Sequence, residues 1–371
     1  SEAYISRLIK KGYKVAICEQ TEDPKLAKSL VKRDVIRIVT PGTVIEDQML
    51  EEGANNYICC VFIGEKNVGI STADISTGRV SVTSLDKYDR VGVKNEVLRF
   101  SPSELVVSEN SVDRDFFTEE NFGCCVTFFR AWGFAPENAE TLAKKQFPQD
   151  FEQFNDEEHG ALISSMGGLL SYLFETQKIG VERLVSLEVY ESFNFMHLDE
   201  TARRNLEITK TMRTGDKKGS LLWVMDKTQT AMGKRLLRKF LERPLTNPIA
   251  IEKRLNAVEE LFDGNTLRMD LREQLSSIFD MERLLTRIIC GTTNPRELVT
   301  LKLTSMRLPQ IKDGLSGVSS YILKDIREKI DTLEDICKII DVTISDDPPA
   351  LIKDGGYIKE GFSEKLDALR E

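Results

Sequence analysis

The stretch FMHLDETARRNLEI, residues 195–208, leads into the helical half of this sequence. Upstream of it, short β-branched runs alternate with helical patterns, which is typical of a mixed α/β region. From about residue 160 onward, strand-like runs nearly disappear and amphipathic helical patterns predict an all-helical assembly. A chain of 371 residues exceeds one ordinary core, so two or three domains are expected.

Residues 201–243 carry a net positive charge, whereas the chain as a whole is negative. They hold twelve Lys and Arg against four Asp and Glu, in a molecule whose formal net charge is −9. Two interpretations remain open: contact with the phosphates of a nucleic acid, or a solvated basic helix face whose arginines can also pair with carboxylates of neighbouring or missing helices. The second is favoured by an apolar stripe in MGKRLLRKFLERP, residues 232–244, formed by Leu236, Leu237, Phe240 and Leu241.

Local patterns predict most elements of the first half. A helical pattern and two strand-like runs open the sequence, at residues 2–11, 14–18 and 35–39. Three runs separated by turn residues predict an antiparallel meander, at residues 57–64, 67–76 and 78–85. Further elements are expected downstream: a helix at 87–100, short strands at 105–107 and 125–128, and a helix at 161–176.

Two Asn-Pro pairs predict helix starts in the second half, because asparagine caps a helix and proline fits its first position. They are Asn247-Pro248 and Asn294-Pro295. The helix after the first pair carries an apolar face of Ile251, Leu255, Val258 and Phe262.

Composition indicates a reduced cytoplasmic protein. Seven cysteines without a CxxC spacing indicate neither a zinc site nor a disulfide framework. No apolar run approaches the roughly 20 residues of a membrane span, and no secretory leader opens the chain. The sequence starts without Met inside a helical pattern, which indicates a piece of a longer protein.

Several stretches, in order, resemble the MutS family of DNA mismatch-repair proteins. They are VAICEQTEDP (15–24), VKRDVIRIVTPGT (31–43), TADISTGR (72–79), LDETARRNLEI (198–208), LWVMDKTQTAMGKRLLRKFLERP (222–244) and DPPALIKDGGYIKEG (347–361). The resemblance implies three domains: the end of an α/β mismatch-binding domain (1–48), a ribonuclease-H-like α/β connector domain (49–178), and the first part of a helical core or lever domain ending before the DNA clamp (179–371).

The resemblance also implies a function. A whole protein of this family would recognise mispaired or unpaired bases as a homodimer, bind and hydrolyse ATP with magnesium, and recruit the MutL partner in the bacterial cytoplasm, at the nucleoid. The present chain would be the connector–lever relay between the DNA-binding and ATPase ends, with no catalytic residue, metal or cofactor of its own. As a separate piece it is expected to be a monomer or weak dimer that binds duplex DNA weakly.

Two family elements have no counterpart in the printed sequence. The Phe-x-Glu element that wedges into a mispair belongs upstream of Ser1, and Phe117-Thr118-Glu119 is interpreted as a capped helix start instead. The phosphate-binding pattern G-x-x-x-x-G-K-[ST] does not occur, and GDKKGS at 215–220 does not satisfy it. Binding of ATP by that route is therefore not expected of this chain.

Two groups of residues are candidate contact sites. Lys32, Arg33 and Arg37 lie in the part that resembles the mismatch-binding domain, so they are candidates for the DNA backbone; an ordinary solvated edge is the alternative. A polar helix face with Lys144, Lys145 and Gln146 is the candidate docking site for MutL, and a polar face without a partner would look the same.

Two other functions remain possible at this point. A ribonuclease-H-like domain with Asp74 on a strand suggests a metal-dependent nuclease, although Asp74 is better explained as the cap of the following turn. Asp86 and Asp89 near a helix start are explained by capping in the same way. A MutS relative that acts in recombination without recognising mismatches is the second alternative.

Overall fold

The computed structural model describes residues 2–20, 22, 31–154, 156–178 and 181–370. They form two compact units. The first comprises the chain up to Val224 together with Leu241–Arg243, and the second comprises Met225–Phe240 and the chain from Pro244 onward. Among the described residues, no helix is both long enough and apolar enough to span a lipid bilayer.

A small antiparallel sheet opens the first unit, and its elements match those predicted. They are α1 (Glu2–Ile9), β1 (Val15–Gln20) and β2 (Arg33–Val39). Val15 pairs with Val39 at one end of the ladder, and Gln20 pairs with Arg33 at the other. We call the Val15 end the base of the hairpin and the Arg33 end its tip. The base has its own small apolar core, in which Ile9, Val39 and Val44 are buried.

A six-stranded mixed sheet forms the body of the first unit. Its strands are β3 (Tyr57–Ile63), β4 (Asn67–Asp74), β5 (Arg79–Asp86), β6 (Glu104–Ser108), β7 (Cys125–Phe129) and β8 (Ser186–Val189). Their spatial order is β7-β6-β3-β4-β5-β8. The predicted meander β3-β4-β5 is antiparallel, whereas β6, β7 and β8 each join the sheet in parallel.

The expectation that strands end near residue 160 is wrong at β8. This run of four residues, SLEV, is too short for an alternating pattern to stand out. Its strand conformation depends on β5, which offers it a parallel ladder partner. The sheet therefore continues beyond residue 178, where the second domain was expected to end.

Helices cover both faces of the large sheet. They are α2 (Arg90–Phe100) and α3 (Glu119–Phe122) on one face, and α4 (Pro136–Gln146) and α5 (Asp156–Gln177) on the other. Successive residues of β3 alternate between the two cores, because side chains on a strand point to opposite faces. A Cβ added at Gly69 of β4 would lie 2.1 Å from the carbonyl oxygen of Ala161, so glycine is what lets α5 lie against the strand.

Two arginines of the basic segment are structural in the first unit. Arg203 lies in helix α6 (Glu200–Asn205). Its guanidinium group donates to the carbonyl oxygens of Leu198, Leu98 and Asn95, at 3.1, 2.8 and 3.0 Å. Arg243 is 4% exposed, and its guanidinium carbon lies 3.7 Å from the ring centroid of Phe100. Both guanidinium groups make contacts within the protein, and that of Arg243 is buried.

The second unit is helical, with one isolated bridge between Ile344 and Ile358. Asn247 and Asn294 cap helices as predicted, and Asn294 forms a full capping box with Glu297. The helices are α7 (Leu221–Met225, at the boundary of the units), α8 (Ala231–Glu242), α9 (Pro248–Asp263), α10 (Asn265–Ser276), α11 (Met281–Ile289), α12 (Pro295–Ser305), α13 (Leu308–Gly314), α14 (Tyr321–Lys329), α15 (Glu334–Thr343) and α16 (Glu364–Arg370).

On α8, Arg235 is not part of a solvated basic face but pairs with carboxylates, which was the alternative for the arginines of this segment. This side chain is 3% exposed and donates to both carboxylate oxygens of Asp280, at 2.6 and 2.8 Å, and to Glu282 at 2.6 Å. Leu236, from the apolar stripe, is 48% exposed instead. Two carboxylates at one end of α11 offset the desolvation of the guanidinium, which a helical-wheel pattern does not reveal.

The apolar face predicted for α9 is also largely exposed. Leu255, Val258 and Phe262 are 58, 62 and 75% exposed, whereas Ala257 and Leu261 pack into the core of the unit. The helix boundaries are as predicted, but the helix buries a different face.

We expect Asp280→Ala to lower the free energy of unfolding by about 3 kcal/mol, because it leaves the buried Arg235 guanidinium with only part of its compensation. Asp325→Ala is the matched control, since its pair with Lys329 is exposed and is expected to contribute little to stability. Urea unfolding of the two variants measures the difference. Equal losses would show that the Arg235 pair is no stronger than a surface pair.

Glu260 on α9 fastens the start of α14. Its carboxylate accepts from the backbone nitrogens of Ser319 and Ser320, at 2.5 and 2.8 Å. Hydrogen bonds from Ser320 and Ser319 lower the pKa of Glu260 from 4.5 to about 2. A lowered pKa in the folded state means that the carboxylate stabilises the fold above its ordinary pKa and loses this effect as it is protonated.

We therefore expect the stability difference between the wild type and Glu260→Gln to be constant above pH 4.5 and to vanish as the pH falls towards 2. Urea midpoints over a pH series test this. Glu259→Gln on the same helix is the control. A difference that does not change with pH would contradict the assignment.

Candidate nucleic-acid interface

A buried carboxylate lies beneath the base of the hairpin. Glu104, the first residue of β6, is fully buried. Its Oε1 accepts from the hydroxyls of Thr127 and Tyr172, at 2.7 and 2.6 Å. The Lys14 ammonium, one residue before β1, lies 3.4 Å from the same oxygen. Lys14 also donates to Thr127 at 2.7 Å and to Tyr172 at 3.1 Å, so the four groups form one network.

The turn after β2 binds the other oxygen of this carboxylate. Thr40 donates its hydroxyl to Oε2 of Glu104, and the backbone nitrogen of Gly42 lies 3.2 Å from the same atom. A Cβ at position 42 would lie 2.8 Å from the Cβ of Ile58 and 2.9 Å from that of Glu104. Only glycine permits this close approach. The turn TPGT at 40–43 can therefore pack directly against Glu104.

Of the three candidate DNA contacts, Arg37 makes structural hydrogen bonds within the protein. Its three guanidinium nitrogens donate to Gln177, Glu46 and the carbonyl oxygen of Thr43, at 2.9, 2.6 and 3.0 Å. Gln177 in turn donates to the carbonyl oxygen of Ile38 at 3.2 Å. Arg37 therefore fastens β2 to the end of α5 through hydrogen bonds from all three guanidinium nitrogens.

Lys32 and Arg33 lie at the tip of the hairpin and are both exposed. The backbone nitrogen of Lys32 donates to a carboxylate oxygen of Glu22 at 2.5 Å. Residues 23–30 of the connection lie outside the described part of the chain. Two cations side by side on an exposed edge are suited to the phosphates of a duplex.

The three residues proposed for partner docking differ in exposure. Lys144 and Lys145 of α4 are exposed, and Lys144 pairs with Glu140 and lies 5.3 Å from the ring centroid of Phe151. Gln146 is half-buried and donates to the carbonyl oxygen of Leu184 at 2.7 Å, so its amide group is structural. A cleft of about 440 Å³ next to Lys144 is lined by Glu140, Lys144, Pro148, Phe151, Glu152 and Phe154.

Asp74 has the structural role expected of it. One carboxylate oxygen accepts from the backbone nitrogen and hydroxyl of Ser76, at 2.9 and 2.7 Å, and the other accepts from Asn55 at 2.6 Å. No group of three His, Cys, Asp or Glu suited to a metal ion occurs in the part of the chain that the structure describes. Thr118 likewise caps α3, as the Phe-Thr-Glu pattern predicted.

Three cysteines, Cys59, Cys124 and Cys125, have raised pKa values. Burial raises the pKa of Cys124 to about 12 and raises the pKa of Cys125, and the pKa of Cys59 is raised further still. A thiol with a raised pKa is protonated near neutral pH and is a poor nucleophile.

Sequence reasoning missed Glu104 and Lys14. The available signal was weak: in ELVVS, a glutamate opens an otherwise apolar and buried strand. A charged residue at such a position requires partners, but the sequence alone does not indicate where they are.

Comparisons with known families account for nearly the whole chain. The family model for MutS domain I matches residues 1–48, that for domain II matches residues 56–186, and that for domain III matches residues 201–371.

Similar curated proteins are longer than this chain. A DNA mismatch repair protein MutS from Caldanaerobacter subterraneus subsp. tengcongensis is 42% identical over 375 residues, covering 100% of this chain and 43% of the relative. Its counterpart from Ruminiclostridium cellulolyticum is 41% identical, covering 100% of this chain and 43% of the relative. The chain thus spans less than half the length of these relatives. From the three domain models and these identities together, the chain belongs to the MutS family of DNA mismatch-repair proteins.

Proposed function

We propose that the chain acts within a longer protein that recognises mispaired or unpaired bases in DNA and initiates mismatch repair. Its own role is that of a connector–lever relay between a DNA-binding end and an ATPase end. The observation that carries this proposal is the N-terminal hairpin, whose tip presents Lys32 and Arg33 and whose base is held by buried polar contacts.

We further propose that the large sheet is a ribonuclease-H-like connector domain. An antiparallel meander extended by parallel strands beside its first strand supports this assignment. The proposed limits remain 1–48, 49–178 and 179–371, although β8 extends the connector sheet to Val189. The helices that follow would form the first part of the lever.

The remaining properties are proposals for the whole protein. ATP and magnesium would be bound by other segments of the longer protein, because this chain has no phosphate-loop pattern. Homodimerisation, recruitment of MutL and residence at the bacterial nucleoid follow from the proposed repair role. A nuclease is not favoured, because both oxygens of Asp74 already accept hydrogen bonds.

We expect Lys32→Glu combined with Arg33→Glu to weaken duplex binding and to reduce the slope of log K against log salt by about 1.8. Each lost phosphate contact removes about 0.9 from this slope. Fluorescence anisotropy with a labelled duplex carrying a single G·T mispair, over a salt series, gives both quantities.

Lys353→Glu with Lys365→Glu is the matched control, because it makes the same charge change at exposed residues of the second unit. The control is expected to leave the slope unchanged. If both pairs of substitutions reduced the slope equally, the hairpin tip would not be the contact site.

A surface on α4 is the proposed docking site for MutL. With Gln146 committed to the fold, the site consists of Lys145, Lys144 and the adjacent cleft that contains Phe151 and Phe154. Aromatic side chains beside cationic ones offer both apolar and charged contacts to an acidic partner surface.

We expect Lys145→Glu to weaken MutL binding about tenfold, because charge reversal at a docking surface introduces repulsion from an acidic partner. Biolayer interferometry with immobilised MutL measures this, and Lys66→Glu, an exposed lysine outside the proposed site, is the control. Unchanged affinity for Lys145→Glu would remove α4 from the docking surface.

A further inference from the structure

The pairing of β1 with β2 brings Lys14 and Thr40 to the same carboxylate, that of Glu104. Lys14 precedes β1 and Thr40 follows β2, and the adjacent residues Val15 and Val39 pair across the ladder. Both side chains therefore leave the hairpin at the same end. They reach different oxygens of Glu104: Lys14 lies near Oε1, and Thr40 donates to Oε2.

The carboxylate is fixed from the opposite side by the large sheet and its helix. Thr127 of β7 and Tyr172 of α5 donate to Oε1, and Glu104 itself begins β6. Hydrogen bonds to a carboxylate are directional, unlike apolar contacts. Glu104 thus joins the hairpin to the body of the unit through contacts that specify an angle as well as a distance.

The tip is far from this junction. Strand β2 has seven residues, so the tip lies roughly 20 Å from Glu104 at about 3.3 Å per residue. A tilt of about 10° at the base would move the tip by roughly 3–4 Å over that length. A displacement of this size exceeds the range of a hydrogen bond to a phosphate.

We propose that Glu104 is a positioning residue for nucleic-acid binding: it sets the angle of the hairpin so that Lys32 and Arg33 meet the DNA backbone. This inference rests on the proposed function of the hairpin tip. Glu104 touches no nucleic acid and acts through Lys14 and the turn at 40–43. Glu104→Gln would leave Lys14 without its anionic partner and would replace one of the two acceptor oxygens by an amide NH2 group, so that either Thr40 and Gly42 or Thr127 and Tyr172 lose their acceptor.

The direction of the change in DNA affinity distinguishes a positioning role of Glu104 from a purely electrostatic one. Glu104→Gln removes one negative charge, and by charge alone it would raise affinity for a polyanion. Positioning predicts the opposite: roughly tenfold weaker binding and a smaller salt slope, although no cation has been removed. In the background of Lys32→Glu and Arg33→Glu, the same substitution should cause little further loss.

The test combines two measurements on the full chain. Anisotropy with the labelled G·T duplex gives affinity and salt slope, and amide hydrogen exchange of β1 and β2 without DNA reports whether the hairpin has loosened. Glu96→Gln is the matched control, because Glu96 is also buried and accepts from a tyrosine hydroxyl, that of Tyr190, at 2.6 Å. Its hydrogen-bond partners, Arg99 and Tyr190, lie outside the hairpin, so the substitution should change neither measurement.

Faster exchange in β1 and β2 together with weaker binding would support the proposal. Unchanged exchange, or unchanged or tighter binding, would overturn it. If Glu104→Gln fails to fold, Tyr172→Phe removes one donor and should shift both readouts in the same direction by a smaller factor. A failure of the proposed function is distinct, since Lys32→Glu with Arg33→Glu would then leave binding unchanged in the wild-type background.

Discussion

The first unit depends on one constraint: a carboxylate buried away from water needs donors for both of its oxygens. Glu104 is fully buried, and its partners come from the hairpin, from β7 and from α5. Burial of an ionised carboxylate without such partners costs several kcal/mol or more. The hairpin, the sheet and α5 therefore stabilise one another, because each supplies a donor that the others cannot replace.

The same need of buried charged groups for partners explains where the arginines of the basic segment lie. Arg203, Arg235 and Arg243 satisfy carbonyl groups, carboxylates and aromatic rings within the protein. A local excess of cations in the sequence therefore does not measure the charge presented to solvent. For this chain, the exposed lysine and arginine at the hairpin tip are better candidates for nucleic acid than the longer basic segment.

Much of the fold could be predicted because its signals are local. Asparagine caps, proline at first helical positions and strand-like runs predicted the meander, the helix starts and the two strands of the hairpin, but not the pairing of those two strands. The failures share a non-local cause. Strand β8 needs β5 as a partner, the buried face of α9 depends on neighbouring helices, and the roles of Arg37 and Gln146 depend on acceptors 140 and 38 residues away in sequence. For the candidate site, residue types identified the tip, but only the fold identified its support at Glu104.

Directional contacts at the base and exposed cations at the tip serve different needs. The small core of Ile9, Val39 and Val44 stabilises the base, but apolar packing has little directional preference and tolerates small rotations. A carboxylate that binds Lys14 and Thr40 through different oxygens removes that freedom. The exposed lysine and arginine lie at the opposite end of the ladder from these directional contacts. The hairpin is thus oriented at its base by directional contacts and carries its two exposed cations at the tip.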